Sequence, residues 1–274
     1  MIYLKSEYEI EKMRESTRIV SQTLGKIAQK IEPGVMTATL DRIAEDFIVE
    51  QGGRPAFKGY GSPTNPFPAT LCISVNEEVV HGIPSNRKLK EGDIVSVDCG
   101  VEKNGYFGDH AYTFIVGEVS SDVKKLLQTT LNSLHRGIEQ AIHGNKIGDI
   151  GHAVQQTCEQ EGYGVGRDLG GHGLGKSLHE NPSVPNYGKK GKGTRLRSGM
   201  TLAIEPMINM GTWKVKTLSD GWTIVSADES LSAHFEHNIV IRKGEAEILS
   251  TFDYIAELSK NSENVFYHGQ TRAN

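Results

Sequence analysis

Apolar residues fall into register near the start of the chain, where Ile10, Met13, Thr17, Val20, Leu24, Ile27 and Ile31 recur in steps of three and four. That spacing is one stripe of an amphipathic helix. Ser6 and Glu9 supply a capping box before it, and Pro33-Gly34 marks its end. A second helix is predicted from about Leu40 to Gln51, stopped by Gly52-Gly53.

The plan then returns. Val123, Leu127, Leu131, Leu134, Ile138 and Ala141 form another helical stripe closed by Gly144, and Ile150, Val154 and Cys158 form a shorter one stopped by Gly162. Gly34 matches Gly144, Leu40 matches Ile150 and Gly52 matches Gly162, all at an offset of 110 residues. LKEGDIVSVD (89–98) resembles LRSGMTLAIE (196–205): a leucine, a glycine, a strand, then an acid. This succession predicts an internally duplicated α+β fold with its site between the halves. The halves run about 1–120 and 121–250, with a seam at Glu118–Asp122 and no low-complexity linker. A shared site makes them one unit, so residues 1–274 are expected to be a single catalytic domain. The polar, weakly patterned stretch from about Asp253 to Asn274 reads as a surface helix or loose tail.

Composition narrows the setting more than the chemistry. A chain of 274 residues with net charge -4 buries a substantial core and has no global pull toward nucleic acid or anionic membrane. MIYLKSEYEIEKMRES lacks the apolar core of a signal peptide, and no later stretch approaches membrane-spanning length. Cys72, Cys99 and Cys158 are odd in number and outside any CxxC pairing, so free thiols in a reducing cytoplasm are expected.

The candidate chemistry lies in five side chains: Asp98, Asp109, His172, Glu205 and Glu236. Asp98 ends the apolar run Ile94–Val97, Glu205 ends Leu202–Ile204, and His172 lies between Gly171 and Gly173, where a backbone can turn sharply and approach an ion. A lone acid at a strand end is ordinarily solvated. Four carboxylates gathered with one imidazole, however, need cations. Hard oxygen donors with one nitrogen suit Mn, Fe, Co or Zn, two of them sharing bridging carboxylates.

At these residues the chain closely resembles type I methionine aminopeptidases. The strings that carry the resemblance are NEEVVHGIP (76–84), GDIVSVD (92–98), GHGLGKSLHE (171–180), AIEP (203–206) and SAHFEHNIV (232–240), and it extends over roughly residues 5–250. It implies the pita-bread fold, with antiparallel sheet inside and helices outside. The short interval from Glu205 to Glu236 leaves no room for the helical insertion of type II enzymes. Prolidase and aminopeptidase P share fold and metal set but carry an extra upstream domain, whereas only about 80 residues precede His81 here.

By the same resemblance Asp109 and Glu236 bridge two divalent ions, Asp98 completes one, and His172 and Glu205 complete the other. A hydroxide held between the ions attacks the first peptide carbonyl, and Glu205 receives the water's proton. His179 donates to the carbonyl oxygen as it becomes charged, and His81 contacts the scissile amide nitrogen or helps protonate the leaving amine. The methionine pocket is expected from Phe57, Tyr60, Phe67, Cys72, His81, Leu178 and Trp222. Phe57, Tyr60 and Phe67 surround GSPTNPFPA, which is longer than the loop of familiar members. Leu178 replaces a common phenylalanine, which should widen or soften one wall. Asn76, Glu78 and Ser232 match positions that hold a monovalent cation in the family. The expected partner is the N-terminal methionine of nascent polypeptides, met by a monomer that binds neither DNA nor membrane.

Three other signals pull elsewhere. Gly170–Ser177 satisfies GxxxxGK[ST], but a P-loop needs a buried strand before it and a helix after it, and neither is evident. The basic segment Lys189, Lys190, Lys192, Arg195 and Arg197 could make a transient ribosome contact, although a solvated loop is the simpler reading. A pita-bread protein that only binds peptides is the non-enzymatic alternative. Such proteins tend to have eroded ligand sets, and this one is complete. The remaining histidines are read as structural, with His110 and His237 beside ligands.

Overall fold

The computed structural model describes residues 1–259. Five helices, α1 (Glu7–Ala28), α2 (Thr37–Glu50), α3 (Ser121–Gln140), α4 (Ile147–Glu159) and α5 (Asp253–Ser259), surround antiparallel sheets. The Ser6–Glu9 capping box forms as predicted, both halves of it. The first stripe overshoots by a few residues: α1 ends at Ala28, yet Ile31 is still buried in the core. Leu24, Ile27, Leu40 and Ile48 are fully buried beneath the outer helices, each contributing about 1.5–3 kcal/mol of transfer free energy.

The central hairpin pairs Ile94–Lys103 with Tyr106–Ile115 across an Asn104-Gly105 turn, both turn residues at positive φ. Asn-Gly suits a type I′ turn, whose twist matches that of the strands. α1 lies on this hairpin, with the Ser16 hydroxyl donating to the Tyr106 carbonyl at 2.8 Å. In the second half α3 covers Thr201–Ile204 and Met207–Asn209.

The repeat is visible in the backbone. Gly34 donates to the Leu89 carbonyl at 2.7 Å, and Gly144 donates to the Leu196 carbonyl at 3.0 Å. The Met36–Lys88 bridge has its counterpart in Lys146–Arg195. The predicted duplication is therefore the pita-bread architecture, two pseudo-symmetric halves with sheet inside and helices outside. The halves meet along Tyr106–Ile115, where Glu236 donates its amide hydrogen to the Ala111 carbonyl at 3.0 Å and the Thr113 hydroxyl donates to the His234 carbonyl at 2.7 Å.

Several local expectations change. Asp98 does not end a strand: it lies midway along Ile94–Lys103, opposite Cys72 and Ala111. His172 lies in a strand, Gly170–Gly173, and not in a sharp turn. Its glycines serve close approach, since a Cβ on Gly171 would come within 2.2 Å of the Ala203 carbonyl oxygen and one on Gly173 within 2.5 Å of that of Asn181. That strand leads through a short loop into Glu180–Pro185 with no helix following, so the phosphate-loop pattern is coincidental. The segment 61–66, too irregular to assign from sequence, is a small hairpin pairing Gly61–Ser62 with Asn65–Pro66. At the chain's end, α5 docks on α1 with Ile255 fully buried; the rest of the expected tail lies outside the described residues.

Candidate metal centre and pocket

The four carboxylates and the imidazole come together where the halves meet. Asp98 and Asp109 project from the paired strands of the first half, and His172, Glu205 and Glu236 come from three segments of the second. All five line one cavity of about 370 Å³. Ligand atoms of Asp109, His172 and Glu236 lie within 4.8 Å of one another. His172 Nε2 stands 3.6 Å from Asp109 Oδ2 and 3.7 Å from Glu205 Oε1. Those separations are too long for hydrogen bonds and suit donors arranged around a common ion.

Hydrogen bonding prepares the donors. His172 Nδ1 donates to the Gly173 carbonyl at 2.9 Å, which leaves the Nε2 lone pair free for a metal. Asn238 Oδ1 accepts the Asp109 amide hydrogen at 2.7 Å, and its Nδ2 reaches Glu236 Oε1 at 3.4 Å. One amide thus ties the backbone of Asp109 to the carboxylate of Glu236, the two residues expected to bridge. His110 Nδ1 donates to the Glu236 carbonyl from behind, and His237 Nδ1 bonds the Ser250 hydroxyl at 2.8 Å.

Burial pushes the carboxyls of Asp98 and Glu236 well above the ordinary range, and the charges of Asp109 and Glu205 push them further. Glu205 is held low: burial opposes ionisation, but His234 and His172 outweigh it. Burial alone would lower His172, yet Asp109 and Glu205 lift it above the usual imidazole value. Asp98 Oδ1 and Asp109 Oδ1 are buried without hydrogen-bond partners among the described residues. Buried anions without donors are costly unless a cation compensates them, so the donor set fits divalent ions.

Beside this polar floor the predicted pocket residues assemble. Phe57, Phe67, Cys72 and Leu178 are buried in one apolar cluster with Trp222 against it, and Phe67 meets Trp222 edge to face at 5.3 Å. Tyr60 contacts His179 Nδ1 through its hydroxyl at 2.5 Å, and the His179 ring stands edge-on to His172, centroids 4.2 Å apart. His81, at φ +60, faces Trp222 at 6.3 Å. A left-handed histidine is uncommon and signals a constrained position. Of Asn76, Glu78 and Ser232, two meet directly, the Ser232 amide donating to the Asn76 carbonyl at 2.9 Å, while the Glu78 carboxylate accepts the Val75 amide hydrogen at 2.8 Å.

Sequence reasoning misses His234, which reads as structural. It is 1% exposed, and its Nε2 lies 3.4 Å from Glu205 Oε2 with no other partner among the described residues. Asn238 was missed as well. Both stand two residues from Glu236, so period-two alternation could have flagged them.

Comparison with known proteins agrees with this geometry. The profile of metallopeptidase family M24 matches residues 11–243. "Methionine aminopeptidase" of Clostridium acetobutylicum is 52% identical over 251 residues, covering 91% of this chain and 99% of that one. Among solved structures, methionine aminopeptidase from Rickettsia prowazekii superposes with a TM-score of 0.89 at 39% identity, over 92% of this chain and 100% of its own. The enzyme from Thermotoga maritima gives 0.88 at 45% identity with the same coverage. With fold, buried donor set and these likenesses in agreement, the chain belongs to metallopeptidase family M24, among its methionine aminopeptidases.

Proposed function

We propose that this chain removes the N-terminal methionine from nascent proteins and peptides, as a type I enzyme preferring a small second residue. The observation that carries the reading is the junction of two environments in one cavity: a buried carboxylate–imidazole floor and a wall of Phe57, Phe67, Cys72, Leu178 and Trp222. An unbranched thioether fits such a wall through dispersion and sulfur–aromatic contact. Residues 1–274 act as one catalytic unit, the halves about 1–120 and 121–250 each giving part of the floor.

Asp98, Asp109, His172, Glu205 and Glu236 would hold two divalent ions, Asp109 and Glu236 between them. Bound there, the ions would supply Lewis acidity and an activated water for attack on the first peptide carbonyl. Glu205, kept ionised by His234 and His172, is suited to take up a proton. The Tyr60 hydroxyl, donating to His179 Nδ1, leaves the Nε2 hydrogen of that ring to donate to the carbonyl oxygen as charge develops. His81 is left to contact the scissile amide nitrogen. Asn76, Glu78 and Ser232 are the proposed monovalent-cation positions.

We further infer a cytoplasmic monomer. Its three cysteines are free and buried, and no helix among the described residues is long and apolar enough to cross a membrane. The exposed basic loop 189–197 is available for transient ribosome contact.

The test is mass-spectrometric product analysis on Met-Ala-Ser and Leu-Ala-Ser, with chelator-stripped protein and with Mn or Co restored. Metal-dependent loss of methionine alone is expected. Loss of both residues would break the pocket assignment, and no release under any metal would leave a peptide-binding protein.

A further inference from the structure

The hairpin at residues 61–66 stands above the apolar wall, and its contacts converge on one side chain. Trp222 Nε1 donates to the Asn65 carbonyl at 3.2 Å, and Asn65 Nδ2 donates to the Asp220 carbonyl at 3.1 Å. Asp220 is itself fixed: its Oδ1 accepts the amide hydrogens of Trp222 and Thr223, each at 2.8 Å, and its Oδ2 accepts the Thr223 hydroxyl at 2.7 Å. Beneath the indole lies Gly61, at φ +99, where an added Cβ would stand 2.5 Å from Cη2 and 2.7 Å from Cζ2. The indole therefore rests on bare backbone and is bonded at its edge to the same hairpin.

The hairpin's stem belongs to the pocket. Phe67 donates its amide hydrogen to the Tyr60 carbonyl and Gly59 donates to that of Phe67, both at 2.8 Å. The next pairs outward are Gly61–Pro66 and Ser62–Asn65, tightened by the Ser62–Thr64 hydroxyl contact at 2.8 Å. One small element thus connects Tyr60 and Phe67, which flank it, with Trp222 from a distant part of the chain, and all three line one cavity.

From this geometry we propose that the 61–66 hairpin is a specificity clasp, in which Asn65 and Gly61 are positioning residues that hold Trp222 against the side chain of the substrate's first residue. Neither faces the reacting atoms; each acts through the indole. The clasp rests on the methionine-pocket reading above. It adds that discrimination between methionine and branched side chains depends on residues outside the pocket wall. Without the Asn65 Nδ2 bond to the Asp220 carbonyl, the hairpin is no longer tied to the segment that carries Trp222, the indole can swing toward solvent, and a shape-selective wall becomes an adaptable one.

The test uses the metal-loaded full chain in a Trp213→Phe background, so that Trp222 is the sole tryptophan. Asn65→Ala keeps the main-chain carbonyl that accepts from Trp222 Nε1 and removes the Nδ2 bond to Asp220, and the loss of that one hydrogen bond corresponds to roughly a 3- to 10-fold effect. That factor is expected as a rise in KM for Met-Ala-Ser with kcat within about twofold, and as a fall of similar size in the Met-to-Leu ratio of kcat/KM. Acrylamide quenching of Trp222 should increase in parallel, and Asn65→Gln should recover part of both effects. Gly61→Ala, which drives a methyl into the indole, should move both readouts in the same direction. An unchanged Met-to-Leu ratio or unchanged quenching in Asn65→Ala overturns the clasp. If the parent protein released no methionine, the functional reading would fail, and quenching alone would still decide whether Asn65 holds Trp222.

Discussion

Lys5 reaches into the loop that carries His179, and breaking that contact gives a demanding test of how the site is supported. Its Nζ lies 2.5 Å from Glu180 Oε2, with both side chains nearly buried, at 5% and 9% exposure. Glu180 Oε1 also accepts the amide hydrogens of Lys176 at 2.8 Å and Ser177 at 3.3 Å, so one carboxylate folds the loop ahead of His179. At an effective dielectric of about 20 the two charges attract by about 7 kcal/mol. Desolvation costs several kcal/mol for each ion, so the intact pair contributes little net stability. Removing one partner is different. Lys5→Met keeps the aliphatic stem but leaves Glu180 charged and buried with only two amide donors, a cost of about 3 kcal/mol. In a domain of this size that lowers Tm by about 6–12 °C. The double variant Lys5→Met/Glu180→Gln removes both charges and should lie closer to the parent, with a coupling of at least about 2 kcal/mol in the cycle. Thermal and urea unfolding of the four proteins supply the values. A Tm change in Lys5→Met under about 2 °C, or strict additivity in the double variant, would refute the reasoning.

Three further outcomes follow from named contacts. His234→Leu removes the partner that Glu205 Oε2 has among the described residues, and should cost about 10- to 100-fold in metal affinity measured by titration calorimetry; His234→Gln, still a donor, should retain most of it. Tyr60→Phe takes away the hydroxyl on His179 Nδ1 and should lower kcat about tenfold with KM little changed, so a loss confined to KM would count against the tautomer argument. Metal removal should destabilise the protein increasingly as pH rises. In metal-free protein the carboxyls of Asp98 and Glu236 titrate above their unfolded values, so their contribution is fully present below the unfolded pKa and is lost as pH climbs through the raised folded one. Calorimetric scans of stripped and loaded protein between about pH 5 and pH 8 should diverge upward, and Asp98→Asn should reduce the divergence; parallel curves would contradict it.

What the sequence determined by itself was periodic or local. Helical stripes, their caps and glycine stops follow from spacing and turn chemistry that neighbouring residues enforce, so α1 through α4 were legible within a few residues. The repeat was legible because the same backbone turns recur in both halves, as the bonds from Gly34 to Leu89 and from Gly144 to Leu196 demonstrate. The five candidate ligands stood out because so many acids in apolar surroundings have no bland explanation. Tertiary structure decided what depends on distant segments meeting. Asp98 looked like a strand end because its charge closes the apolar run Ile94–Val97, whereas pairing on both sides carries the strand on to Lys103. His234 looked like a core histidine because its relation to Glu205 exists only once two strands pair, Met207 opposite His234. The hairpin at 61–66 has no periodicity to read, being a few residues of glycine, proline and small polar groups. It is tied to an indole more than 150 residues away along the chain, at Trp222, which no local pattern announces. Local propensity acts through adjacent residues and so is written in sequence; the orientation of Glu205 and Trp222 is imposed by through-space partners, which the fold alone brings into contact.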